Sequence, residues 1–307
     1  MNTPQRTFRV AYDPIYAHPL PEGHRFPMLK YELIPGQLLH EGSLSEAELY
    51  APDVCADDVI LLTHDADYLG RLDGQLLTAQ EQRRIGFPQS PALIHREKVI
   101  AQGTIDCAWH ALDNGVALNV AGGTHHAFAD RGEGFCLLND IAVAANQLLS
   151  ADRVQRILVV DLDVHQGNGT ASLFREEPRV FTFSMHGARN YPFHKEVSDL
   201  DVPLPDGIGD ADYLSLLEGH LDNLLERIRP QIVFYLSGVD ILDSDRYGRL
   251  KVSMDGCRRR DEAVFRRLAA AGIPCAVSMG GGYSIDVRRI VEAHCQTFRS
   301  ARDAYGL

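Results

Sequence analysis

The stretch "ILVVDLDVHQGNG", Ile157 to Gly169, decides how this chain is read. Its opening run, Ile157 to Val160, is apolar without alternation, the pattern of a strand covered on both faces of a parallel sheet. The end of such a strand borders a pocket. In an extended chain alternate side chains share a face, so Asp161, Asp163 and His165 are expected on one side and Leu162 and Val164 on the other. Two carboxylates buried together are costly unless cations or hydrogen-bond donors compensate them, and Asp with His in close register suits a divalent metal. A solvated strand end, with Asp161 capping a loop and His165 idle, accounts for the same letters, so the rest of the chain has to decide.

Similar apolar runs recur at "FRVAYD", "VILLTH", "VALNVAGG", "RVFTFSMH", "IVFYLSGVD" and "PCAVSMGGG". Stretches with helical spacing lie between most of them, among them "REKVIAQGTIDCAWHALDNG" and "YLSLLEGHLDNLLERIRP". Alternating strands and helices predict βαβ units, hence an α/β fold of three α/β/α layers around a mainly parallel sheet. No repeat or low-complexity linker divides the chain, so residues 1–307 are read as one domain.

Composition narrows the function. Apolar residues make up 45% of the chain and charged ones 23%, as in a globular protein with an ample core. The formal net charge of -12 argues against direct nucleic-acid binding, which needs a basic surface, and is compatible with cationic substrates. No segment has the apolar length of a membrane span, and "MNTPQRTFRVAYD" lacks the hydrophobic run of a secretory signal, so a cytoplasmic setting is expected. The six cysteines are dispersed and read as reduced residues of the core or pocket wall. The basic run "RRRDE", Arg258 to Glu262, reads as the exposed face of a helix.

Polar and aromatic residues gather just after the strand-like runs. "NVAGGTHHAFADRGEGFCLLND" carries His125 and His126 behind a glycine pair. "SGVDILDSDRYG" places Asp240 where it can add a second carboxylate to Asp163 and His165, and "SMGGGYS" ends three glycines on Tyr283. One His and two Asp make a three-ligand divalent site with an open position, the form a catalytic metal needs.

Taken together, "GGTHHA", "GEGFCLLND", "DLDVHQGNG", "SGVDILDSDRYG" and "GGGY" resemble the zinc-dependent histone deacetylase family of the arginase/deacetylase fold. "DLDVHQGNG" and "GVDILDSDRYGRLKVS" are most similar to the class IV deacetylases. The resemblance implies that Asp163, His165 and Asp240 hold zinc, with ferrous iron as an alternative. It makes His125 and His126 the proton-transfer pair and Tyr283 the hydrogen-bond donor to the scissile carbonyl. Gly134, Phe135 and Tyr191 then belong to an acyl-lysine tunnel, with Tyr247 either at its mouth or an ordinary surface aromatic. A structural potassium or sodium ion is implied at Asp161, Asp163, His165 and Ser184. On this reading Asp161 need not touch zinc and instead faces that ion and His125.

Two positions depart from related patterns. Many relatives back the second histidine with a carboxylate, whereas this chain has Asn168, an amide that fixes a tautomer without stabilising an imidazolium as a carboxylate does. Binuclear manganese hydrolases of the same fold carry an Asp two places after the histidine, where this chain has Gly167. The implied substrate is an acyl-lysine peptide or protein, with acetylated polyamines or other small acylated amines as the alternative. A catalytically silent acyl-lysine binder is a further reading, and the oligomeric state is left open.

Overall fold

All but one of the apolar runs fold as strands, and the computed structural model, which describes residues 6–307, joins them in one eight-stranded sheet. Met1 to Gln5 of the stretch read for targeting lie outside the described residues. The strands are β1 (Val10–Ala11), β2 (Leu49–Tyr50), β3 (Val116–Asn119), β4 (Ile157–Asp161), β5 (Val180–Gly187), β6 (Leu200–Leu204), β7 (Ile232–Leu236) and β8 (Cys275–Ser278). They run in the order β2-β1-β3-β8-β7-β4-β5-β6, and every pairing is parallel.

Among the described residues ten α-helices connect and cover the strands: α1 (Lys30–His40), α2 (Asp57–Ile60), α3 (Ala66–Asp73), α4 (Ala79–Ile85), α5 (Pro91–Asn114), α6 (Asp140–Ser150), α7 (Asn168–Phe174), α8 (Asp210–Ile228), α9 (Met254–Ala270) and α10 (Val287–Tyr305). The pleat divides the core in two. Leu158 and Val160 of β4 join a cluster with residues of α1, α8, α9 and α10, while Ile157 and Val159 join one with α3, α5 and α6. Both faces of the sheet are therefore covered, which is why its central strands are apolar without alternation. Among the described residues no helix is long and apolar enough to cross a membrane.

Strand order fixes where a ligand can sit. From β4 the chain moves outward to β5 and β6, then returns through α8 to β7 on the other side of β4 and continues to β8. The carboxyl ends of β4 and β7 thus part in opposite directions, opening the crevice in which α/β sheets bind their ligands.

"VILLTH", Val59 to His64, is no strand; α2 and the turn after it occupy this stretch, and an apolar run this short has no periodicity that separates the two. The short strands β2 and β6 have too little apolar signal to be read in advance. The run Arg258 to Glu262 is not simply a solvated face: within α9, Arg260 and Asp261 are fully buried. Arg260 donates to Asp261 Oδ1 (2.9 Å), Ser237 O (3.2 Å), Leu162 O (3.5 Å) and Gly238 O, so it ties together the turns after β4 and β7. Asp261 Oδ2 also accepts from the Thr297 hydroxyl at 2.7 Å.

Removing one member of a buried ion pair leaves a charge without its compensation, which typically costs about 3–5 kcal/mol. Arg260→Leu is expected to destabilise the fold by this order, read as a lower denaturant midpoint. A midpoint within experimental error of the unsubstituted protein would show that the arginine holds nothing together.

Candidate active site

Four neighbouring strands, β3, β8, β7 and β4, end at the crevice, and the turn after each contributes to one cluster. Contrary to the alternation expected of an extended chain, the backbone bends beyond β4. Asp161 Oδ1 accepts from the Asp163 amide (3.1 Å), and Asp163 Oδ1 accepts from the His165 amide (3.0 Å), so each carboxylate folds the chain onto its own backbone two residues on. The bend separates the roles of the two aspartates. Asp161 Oδ2 lies 2.7 Å from His125 Nδ1, while Asp163 turns towards Asp240 with His165.

Asp163, His165 and Asp240 each offer a ligand atom, all within 4.8 Å of one another. Asp163 Oδ2 accepts from the Gly281 amide (2.8 Å) and Asp240 Oδ1 from the Val164 amide (2.9 Å), which fixes both carboxylates. Asp240 Oδ2 stands 3.2 Å from His165 Nδ1 but is buried without a hydrogen bond. An orphaned, fully buried carboxylate oxygen beside a second carboxylate calls for a cation. Burial and the charge of Asp163 push Asp240 up to about 7. Burial disfavours charge on His165, yet its hydrogen bond to Asp163 and the charges of both aspartates push it up to about 10. The donor set of one nitrogen and two carboxylates thus fits a divalent ion such as zinc or ferrous iron. Glycine supplies the room: a Cβ at Gly281 would stand 2.0 Å from Asp240 Oδ2 and 2.8 Å from Asp163 Oδ2.

The two histidines sit side by side, ring centroids 4.1 Å apart, in unlike surroundings. Burial opposes protonation of His125, but the charge and hydrogen bond of Asp161 outweigh it and the net shift is upward. His126 Nδ1 meets the Asn168 side-chain oxygen at 2.6 Å; that amide oxygen accepts, so Nδ1 carries the proton and Nε2 is left free. Burial first, then the neighbouring His125 and His165, hold His126 well below the usual histidine range. Burial and the charges of Asp163 and Asp240 push the Tyr283 phenol well above its ordinary value, which keeps its proton on as a donor.

Aromatic rings wall the approach. Phe135 has φ +69°, following Gly134 at +51°, a left-handed pair rare for a bulky side chain, and its ring centroid lies 6.0 Å from that of Tyr283. Tyr191 stands edge-on to His126, centroids 5.0 Å apart, and its hydroxyl donates to Glu133 (2.8 Å). Tyr247 lies 5.2 Å from Tyr283 and lines the outer cavity of about 310 Å³ together with Phe135 and Tyr191, so it is at the mouth and not an isolated surface aromatic. Ser184 of β5 pairs in register with Asp161, and its Oγ lies 3.0 Å from His186 Nδ1.

The residues assigned to the site from the sequence therefore lie in or beside this crevice. Several others there were not anticipated. Phe26 and Phe87 pack 5.1 and 5.2 Å from Phe135, and buried Lys30 donates to Gly280 O at 2.9 Å, bracing the glycine turn before Tyr283. Asp140 accepts from the Thr124 amide (2.9 Å) and from the hydroxyls of Thr104 (2.7 Å) and Ser278 (2.8 Å), anchoring the loop that carries the histidines. The available signal was an aromatic followed by proline shortly before α1 and α5, far in sequence from the glycine-rich turns.

A family model described as "Histone deacetylase domain" matches residues 24–298. The chain belongs to the histone deacetylase family. Histone deacetylase 2 of Arabidopsis thaliana is 31% identical over 87% of this chain and 72% of its own length. An uncharacterised protein of Picosynechococcus sp. is 45% identical over 97% of this chain and 99% of its own. The crystal structure of an HDAC homolog complexed with SAHA superposes with a TM-score of 0.83 at 24% identity, covering 98% of this chain and 84% of that one, and shares the fold.

The amide behind His126 gives a test within this deacetylase-like site. Asn168→Asp sets a carboxylate against Nδ1, favours the imidazolium and raises the histidine pKa. The limb of the pH–kcat/KM profile that needs neutral His126 should move to higher pH; a profile that does not move would remove this role from Asn168.

Proposed function

We propose that this protein is a metal-dependent amidohydrolase that removes acetyl or longer acyl groups from lysine side chains. One observation carries the reading: Asp163, His165 and Asp240 converge within 4.8 Å at the inner end of an aromatic-walled cavity also lined by His126 and Tyr283. Membership of the histone deacetylase family supports a deacetylase hydrolase. The likeness of "DLDVHQGNG" to class IV deacetylases belongs to this proposal, as does a potassium or sodium ion at Asp161, Asp163, His165 and Ser184.

A divalent cation held by Asp163, His165 and Asp240 would polarise the amide carbonyl and acidify a water beside it. The chain supplies the rest. His126, kept neutral with Nε2 free, takes the proton of the attacking water. Tyr283 donates its O–H to the oxyanion that forms on the carbonyl carbon's oxygen. His126 then returns the proton to the departing lysine nitrogen as the C–N bond breaks, giving a carboxylate and a free amine. His125, whose pKa is raised by Asp161 against the effect of burial, favours positive charge close to the developing negative one. Phe135, Tyr191 and Tyr247 form the walls along which a straight apolar stem can lie.

A single metal suits the glycine at 167 better than a bridged pair: any Cβ there would stand 2.4 Å from Asp161 Oδ2. Six buried free cysteines are compatible with the cytoplasmic setting expected from the sequence.

The test is turnover of an acyl-lysine peptide by metal-loaded protein, with metal content measured per chain. Tyr283→Phe should lower kcat by about 100-fold to 1000-fold, the usual loss of one oxyanion donor. Adding zinc should raise the melting temperature of the metal-stripped protein but not of Asp240→Asn, because a ligand bound only by the folded state stabilises it. Binding of acyl-lysine without turnover would favour a silent binder, and two equivalents of manganese in active protein would favour a binuclear hydrolase.

A further inference from the structure

We infer that the mouth of this site selects acyl-lysine carried in acidic polypeptide segments. The inference rests on the deacylase reading and names its substrate class. Arg25, Arg84, Arg189 and Arg249 all line the outer cavity that His126, His165 and Tyr283 reach from within, and no carboxylate lines it among the described residues. The four come from separate parts of the fold: the segment before α1, the end of α4, the turn after β5 and the turn after β7. All four are exposed.

The nearby carboxylates are already engaged. Glu133 accepts from the Tyr191 hydroxyl (2.8 Å) and from Arg131 Nε (3.0 Å), and it lies 3.9 Å from Arg84. Asp206 is shared by Arg189 (3.5 Å) and Arg249 (3.3 Å). Asp245 is taken up by the amides of Tyr247 (2.8 Å), Gly248 (2.9 Å) and Tyr283 (2.6 Å). Arg25 rests over the rings of Phe135 (5.1 Å) and Tyr247 (5.9 Å), and Arg246 lies 5.8 Å from Tyr247; among the described residues neither has an ion-pair partner. The mouth is therefore cationic on a chain whose formal net charge is -12.

A neutral acyl-amide can pass between the aromatic walls, but the groups on either side of the lysine stay outside, against the guanidinium groups. Carboxylates there meet donors shaped for bidentate pairing. A polyamine or a lysine-rich tail would bring ammonium groups against them. Exposed Phe193 (84%) adds an apolar contact at the same rim.

Three peptides of equal length with the same acyl-lysine, flanked by Asp and Glu, by Ser and Gln, or by Lys and Arg, test this directly. At low ionic strength kcat/KM should fall in that order, by about tenfold or more between the extremes, and the spread should shrink as salt screens the rim. Most of the difference should lie in KM. The double variant Arg189→Glu with Arg249→Glu should reduce or reverse the order; if it fails to fold, the salt dependence of the unsubstituted protein still decides. Equal rates for the three peptides, a preference for basic flanks, or faster turnover of an acetylated polyamine than of the acidic peptide would overturn this inference alone. Failure to cleave any acyl-amine would overturn the deacylase reading and this inference with it.

Discussion

The burial of two carboxylates side by side governs this structure. Asp163 and Asp240 stand at the carboxyl ends of β4 and β7, where the sheet divides, and both are essentially inaccessible to solvent. Like charges so placed repel, and each loses hydration on burial. Nearly every local feature answers that problem. Amide donors from Val164 and Gly281 take one oxygen of each, His165 lies between them, and Gly281 has no side chain to intrude. Arg260 grips the carbonyls of both turns from below, and Lys30 reaches the glycine turn from α1. What stays uncompensated is Asp240 Oδ2, turned into the space that a divalent cation fits.

The same economy of compensation separates the histidines. Both are buried and adjacent, so one positive charge between them is tolerable and two are not. The carboxylate behind His125 and the amide behind His126 decide which ring holds it. The asymmetry leaves His126 Nε2 open for the proton-accepting role proposed for it. An enzyme with carboxylates behind both rings would distribute charge differently, so Asn168 is the position where this site is most its own.

Much of this was legible in the sequence because the informative residues are local. The run from Ile157 to Gly169 holds a whole strand, the bend and two candidate ligands, and the buried central strands carry a continuous apolar run. Asp240, Tyr283 and the histidine pair follow strands that were recognised, so their convergence followed from topology. Arg260 was misread because helical charge is usually solvated, and nothing within "RRRDE" says which arginine faces inward. Phe26, Phe87 and Lys30 were missed for a different reason. They reach the site from loops and a helix that precede it by many residues, and only the folded chain brings them there. The extended geometry assumed past Asp161 failed because aspartates hydrogen-bond to amides two residues on in preference to continuing a strand.

Charge at the mouth illustrates the limit of whole-chain arithmetic. A formal charge of -12 favours cationic partners when it is taken as a property of the surface at large. Yet a ligand approaching the channel meets the local field, which screening confines to about 10 Å at moderate salt. Within that range stand four cavity-lining arginines, while the acids beside them are already shared among hydrogen bonds and ion pairs. The remote negative charge then acts on long-range approach and solubility, and the rim acts on which segment docks. In the proposed reaction the Asp163–His165–Asp240 cluster determines the bond that is broken, but it reads only the acyl-amide. On that proposal, discrimination among acylated segments falls to Arg25, Arg84, Arg189 and Arg249, residues without a part in the proposed chemistry and without a motif to mark them.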